Sequence, residues 1–191
     1  IMQVFLPYSD FSRATSCLDK SRLGNQVYRE GLTLLRGSWE NHPASKMWLK
    51  YQGKDYRFAL CNYLLAGLEA LEKRGKFYPE VKAEVVSQQQ SYPDIGPPPW
   101  LGDECIHSSH RSRLLFKGRV DAACLDLKRL IGTATVKDWL SANSYPEKTF
   151  FKHSDIVRLE GYLKNSIDKL SPNWYAQFSW LEDDTKTYYW P

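Results

Sequence analysis

Hydrophobic positions recur at helical rather than strand spacing through most of the chain. Gln3 to Tyr8 is a short apolar opening in which Pro7 blocks a helix, so an extended segment is predicted. From Leu18 a helical pattern begins, with Asp19 placed to cap it and Gly37 to stop it. At 3.6 residues per turn Leu23, Val27, Glu30 and Leu34 share one side, which sets a carboxylate into an apolar stripe. His42-Pro43 opens a second helix, carried through Met47, Trp48 and Tyr51 until Gly53 interrupts it. Lys54 to Arg74 is the clearest core helix: Phe58, Cys61, Leu64, Leu65, Leu68 and Leu71 repeat at helical spacing, and Gly75 follows.

Residues 76–102 change character. Three glutamines at 88–90 and the run Pro97-Pro98-Pro99-Trp100 predict a long surface loop. Asp103 then caps a helix through Lys117, with Gly118 as its stop. Three short helical patterns follow at roughly 121–131, 135–142 and 154–166, and the chain closes on Trp174, Tyr175, Phe178, Trp180, Tyr188, Tyr189 and Trp190. No internal repeat occurs. The expectation is a mainly α fold, a compact helical single domain with few or no strands.

Composition narrows this picture only modestly. The 191 residues, 42% hydrophobic and 25% charged, are enough for a real core and exclude a collagen, a coil or a disordered tail. Lys and Arg number 26 against 22 Asp and Glu, a net charge of +4. That balance suits a nucleic-acid binder with its cations on one face, and equally a protein with no such partner. The cysteines at 17, 61, 105 and 124 form neither a C-x-x-C pair nor a Cys/His quartet, so buried or free thiols in a reducing compartment are expected, without structural zinc. No run of roughly 18 apolar residues is present, so no membrane span is expected and the cytoplasm is the default compartment. Ile1 ahead of Met2 reads as an added residue, with Met2 expected as the native start.

Three constellations are candidates for chemistry. Arg22 and Arg29 lie seven residues apart on one flank of the first long helix, with Glu30 at the edge between that flank and the core stripe; this is either an Arg-paired carboxylate that helps packing or a perturbed functional acid. In the helix after Asp103, His107, His110 and Leu114 share a face, while Arg113 and Lys117 are i, i+4 neighbours able to grip adjacent phosphates; the alternative is a solvated basic face. Two histidines three apart make a weak metal site without a third ligand. The aromatic tail, mixed with Gln177 and Lys186, is either core or a surface that receives an unstacked base.

In their order along the chain these segments resemble the pyrimidine-dimer DNA glycosylase family of the phage endonuclease V type. Val27-Tyr28-Arg29-Glu30-Gly31-Leu32 is similar to that family's Tyr/Trp-Arg-Glu-x-Leu helix, and Trp39-Glu40-Asn41-His42-Pro43 to the Asn-His-Pro of its bacterial members. Leu68 to Gly75 resembles a Glu-x-x-x-(Lys/Arg)-(Arg)-Gly helix end, Arg113-Leu114 with Lys117 an Arg-Leu-x-x-Lys stretch, and Trp174-Tyr175 an aromatic pair near the family's C terminus.

The resemblance implies a compact helical domain of endonuclease V type formed by residues 2–118 and 172–191, with 119–170 as a helical insertion. It also implies an enzyme of duplex DNA, a glycosylase with associated AP lyase, working without metal or cofactor in a bacterial or virus-infected cell. In this scheme a chain-terminal amine attacks the sugar C1′ of a damaged pyrimidine, a Schiff base forms, and β-elimination nicks the strand. Glu30 would be the acid–base and charge-stabilising carboxylate. Arg29, Arg113 and Lys117 would hold phosphates; Arg22, His107 and His110 join the DNA-binding set from their helical placement. Because Gln3 is bulky, Met2 is expected to be retained, so the amine is that of Met2 or of a residue such as Lys20. Two other readings keep the scaffold: an enzyme that modifies a pyrimidine instead of excising it, and a non-catalytic DNA-binding module.

Overall fold

The computed structural model describes residues 4–131, 173–181 and 187–191. The fold is mainly helical, as predicted, and no strand occurs among the described residues. By its internal contacts the chain divides into two units, Ile1–Arg111 with Thr187–Pro191, and Ser112–Lys186.

In the first unit α5 (Arg57–Glu72) is the central element. Against it pack α1 (Phe11–Ser16), α2 (Lys20–Asn25), a π-helical turn (Gln26–Gly31), α3 (Leu32–Leu35), α4 (Pro43–Leu49) and α6 (Pro79–Gln89). Of the predicted apolar repeat of α5, Cys61, Leu64, Leu68 and Leu71 are buried and Phe58 and Leu65 half-buried, while Leu60 and Tyr63 join the core beside them. α2, the π turn and α3 form one continuous helical run. Asp19 caps it, accepting from Arg22 N at 3.0 Å, and its carboxylate also pairs with the Arg22 guanidinium at 2.8 Å. Gly37, at φ 77°, ends the run: Gly37 N donates to Leu34 O at 2.8 Å and Ser38 N to Thr33 O at 3.1 Å. Gly75 closes α5 with the same paired bonds, to Glu72 O and Leu71 O at 2.9 Å. Both stops fall where the sequence placed them, because only a left-handed backbone lets one residue satisfy these last carbonyls. Beyond Glu72, Arg74 donates to Leu18 O at 2.6 Å and Ser16 O at 2.8 Å, fastening the end of α5 to the α1–α2 junction.

Two sequence expectations are corrected. The surface loop expected over 76–102 contains α6, started by Pro79 and held by Val81 and Val85, four apart and buried. The proline run further on brings in Trp100, which is buried, meets Trp48 edge-on at 4.9 Å and donates from Nε1 to Met47 O at 2.9 Å. Gly118 does not stop a helix either, since α7 runs Glu104–Ile131 through it. A Cβ on Gly118 would come within 3.1 Å of Tyr175 Cδ2, so its role is close packing inside the second unit. There Tyr175 is buried, and Trp180 stacks with Tyr175 at 6.0 Å and with Phe178 at 4.8 Å. The helical patterns at 135–142 and 154–166, and most of the expected 119–170 insertion, lie outside the described residues.

Burial pushes the thiols of Cys17 and Cys61 up to about 11, so neither is a ready nucleophile at neutral pH. No helix of the described residues is long and apolar enough to cross a membrane.

Candidate active site

The segment Val4–Pro7 is not helical, as Pro7 predicts, and bends at Pro7, yet no strand lies beside it among the described residues to take up its backbone polar groups. All four residues are buried, so those groups must find partners elsewhere. They find side chains. Phe5 N donates to Gln26 Oε1 at 2.6 Å, and Phe5 O accepts from the Tyr63 hydroxyl at 2.9 Å. Leu6 N donates to His110 Nδ1 at 2.8 Å, while Leu6 O accepts from His107 Nδ1 at 2.8 Å. Pro7 O accepts from Arg111 Nη1 at 2.9 Å, and Arg111 in turn pairs with Glu104. Five side chains from the π turn, α5 and α7 thus fix the backbone of three consecutive residues, Phe5, Leu6 and Pro7.

These partners settle both imidazole tautomers. His107 donates through Nδ1 and accepts from Gly102 N through Nε2 at 3.1 Å, so it is neutral. His110 accepts through Nδ1, which places its proton on Nε2. Its complete burial, helped by the neighbouring His107, lowers its pKa to about 3. The two histidines that the sequence grouped with the DNA-binding cations therefore stand inside the protein and hold the amino-terminal segment. Ser109 extends the same device to the other end of the chain, accepting from Tyr189 N at 3.1 Å, and Tyr188 packs its ring on Phe5 and His110.

Glu30 lies on the π turn, one turn beyond Gln26. A strict 3.6-residue period would put position 30 in the buried stripe. The wider turn instead brings Gly31 inward after Val27 and leaves Glu30 half-buried at the edge. The exchange works because position 31 lacks a side chain: a Cβ there would overlap Leu64 Cδ2 and lie 2.7 Å from Gln26 O. Val27 is likewise seated against α5 at Gly67, where a Cβ would come within 2.6 Å of Val27 Cγ2.

The other candidates separate. Arg29, beside Glu30, is exposed. Arg22 is mostly buried and paired with Asp19, and Lys20 is exposed on the first turn of α2. Arg113 and Lys117 belong to the second unit, where the Arg113 guanidinium lies 4.7 Å over the Phe116 ring. Met2 lies outside the described residues. Among the described residues no cluster of three or more His, Cys, Asp or Glu side chains could hold a metal ion.

Residues 2–83 match the sequence model of the pyrimidine dimer DNA glycosylase family. The match supports the family resemblance read from the sequence. It takes in the Val27–Leu32 helix, Trp39–Pro43 and Leu68–Gly75, whereas Arg113, Lys117 and Trp174-Tyr175 lie beyond it. No curated protein and no solved structure matches the chain.

The glycosylase-family span contains the π turn, Gln26 and Tyr63, but the histidine pair and Arg111 that complete the clamp come from α7. Sequence reading missed Gln26, Tyr63 and Arg111. A signal for them existed: an extended apolar segment with no partner strand requires polar side chains elsewhere, and Gln26 is a polar residue one position before the core residue Val27.

Proposed function

We propose that the protein is a DNA glycosylase with associated AP lyase activity, acting on a damaged pyrimidine in duplex DNA through an amine Schiff base. The observation that carries the reading is the bond from Phe5 N to Gln26 Oε1, which ties the amino-terminal segment to the helix turn bearing Glu30. Three peptide bonds separate Met2 from Phe5, a chain length of at most about 10 Å. In this reading the attacking amine is that of Met2, which precedes this segment in the chain.

Such an amine has an ordinary pKa near 8, so a useful fraction is unprotonated at neutral pH without burial. Its lone pair forms the new bond to C1′ as the glycosidic bond to the pyrimidine breaks and the base leaves. Loss of a proton from nitrogen and opening of the sugar ring give the Schiff base. Removal of a C2′ proton then expels the 3′ phosphate. Glu30, half-buried and next to the exposed Arg29, is the group assigned to the proton transfers and to stabilising the cationic intermediate. Arg29 is assigned to a phosphate.

The test is borohydride trapping of the protein with its native start on dimer-containing and base-modified duplexes, followed by mass spectrometry of the adduct. A covalent adduct on the Met2 amine is the expected result. No adduct on any such duplex overturns the Schiff-base route, and a heavier base in an intact strand would assign modification instead of excision.

A further inference from the structure

Residues 187–191 belong to the first unit and engage it at three points, although they form neither helix nor strand. The Tyr188 ring lies 6.1 Å from Phe5 and 5.4 Å from His110, and those two rings stand edge-on at 6.1 Å, so the three close into a triangle. Tyr189 N donates to Ser109 Oγ at 3.1 Å, next to His110 on α7. Trp190 meets His42 edge-on at 5.9 Å, and His42 Nδ1 accepts from Ala44 N to cap α4. Five residues thus touch the amino-terminal segment, α7 and the start of α4.

The third ring of the triangle differs from the other two. Phe5 and His110 are buried, whereas Tyr188 and Trp190 are half-buried and Thr187, Tyr189 and Pro191 exposed. A segment held by ring contacts and the Tyr189 bond, without a helical ladder, belongs to the part of a protein that opens before its core. What it covers is specific. The imidazole on which Tyr188 packs is the one that accepts from Leu6 N at 2.8 Å, and with the ring seated that imidazole is inaccessible to water. The same ring packs on Phe5, whose backbone is held by Gln26 and Tyr63. One half-exposed side chain therefore bears on the amino-terminal segment directly and on the histidine that holds it.

We propose that residues 187–191 are a latch on the amino-terminal segment, in which Tyr188, seated on Phe5 and His110, is a positioning residue for the chain that leads back to the Met2 amine. Unseating it frees Phe5 and Leu6 and leaves the helical core folded. The positioning role rests on the Schiff-base reading above; the latch itself does not.

The experiment applies amide hydrogen exchange and borohydride trapping to the full chain with its native start, as wild type, Tyr188→Ala and Tyr188→Phe. In Tyr188→Ala the Phe5 and Leu6 amides should exchange about tenfold faster or more, while those of Leu64 and Leu68 in α5 change by no more than about twofold. Single-turnover trapping on dimer-containing duplex should slow by about tenfold, with the half-saturating DNA concentration within about twofold, as misplacement of a reacting group does. Tyr188→Phe keeps the ring and should restore both. Unchanged exchange at Leu6, or equal acceleration at Leu6 and in α5, overturns the latch. Faster exchange at Leu6 with an unchanged trapping rate overturns the positioning role. If wild-type protein forms no adduct, the Schiff-base route falls and the positioning role with it, and the exchange at Leu6 still decides the latch.

Discussion

The first turns of α7 and the π turn carry similar residue types and use them in opposite ways. In α7, His107, His110 and Arg111 face inward, and their polar atoms are taken up by the backbone of Leu6, Pro7 and Gly102. In the π turn, Arg29 is exposed and Glu30 half-buried, while the inward places go to Gln26, Val27 and Gly31. Residue type alone made both regions look functional. What separates them is whether the hydrogen-bonding capacity of each side chain is consumed by its own chain. The α7 cluster holds a buried segment that has no sheet to pair with among the described residues, and the π turn leaves Arg29 and Glu30 at the edge of the core.

The sharpest way to break this contrast is Glu30→Gln. The substitution keeps shape and hydrogen bonding but removes the ionisable group, so single-turnover incision of dimer-containing duplex should fall by a hundredfold or more. Melting temperature and DNA affinity should remain close to wild type. Equal activity in the variant would remove Glu30 from the chemistry and, with it, the distinction between the two regions.

Gly31→Ala tests whether the π turn is enforced by packing. The added methyl meets Leu64 and the Gln26 carbonyl, so a loss of up to about 3 kcal/mol in urea unfolding is expected. Combined with Leu64→Ala, the two losses should be less than additive, since the smaller partner makes room. A neutral Gly31→Ala would mean that the turn does not depend on this close approach.

The buried side of the comparison is read out by pH. His110 is neutral in the fold, with its pKa lowered from 6.5 to about 3, but is free to protonate once the chain unfolds. The unfolded state therefore binds the extra proton, and stability is complete above about pH 6.5 and declines as pH falls below it, by about 1.4 kcal/mol per unit. His110→Asn can still accept from Leu6 N but does not titrate. Urea unfolding at pH 5 and pH 7 should show a pH-dependent loss smaller in the variant by about 2 kcal/mol. Parallel slopes would place the proton-linked loss elsewhere.

Much of this organisation was legible in the sequence because it is local. Asp19, Gly37, Pro43 and Gly75 mark helix boundaries by their own conformational preferences, and the structure keeps each of them. The family resemblance fell on the same local signals. What escaped was set by contacts between distant parts of the chain. Position 31 turns inward against Leu64 only because it lacks a side chain, a close approach between distant residues that a regular helical wheel does not convey. His107 and His110 lie on a face that composition calls basic, and their burial depends on Leu6, about a hundred residues earlier. α6 gives a weak sequence signal because its stripe is thin, only Val81 and Val85 being buried.

The smallest effect on the fold should come from Arg29→Ala. Its side chain is exposed and has no acidic partner among the described residues, so unfolding free energy should change by no more than about 0.5 kcal/mol. Its effect on DNA should be of another kind. A phosphate contact displaces condensed counterions, so removing one weakens binding to every sequence and lowers the slope of log affinity against log salt by about one. Arg22→Ala is the instructive partner: that guanidinium neutralises the nearly inaccessible Asp19, so its loss should act first on stability and leave the salt slope unchanged. The two arginines are seven residues apart on one helical run, and the sequence ranked them together. A salt slope that responds to Arg29 and not to Arg22 would show that the outer edge of the π turn, and not the flank as a whole, meets the nucleic acid.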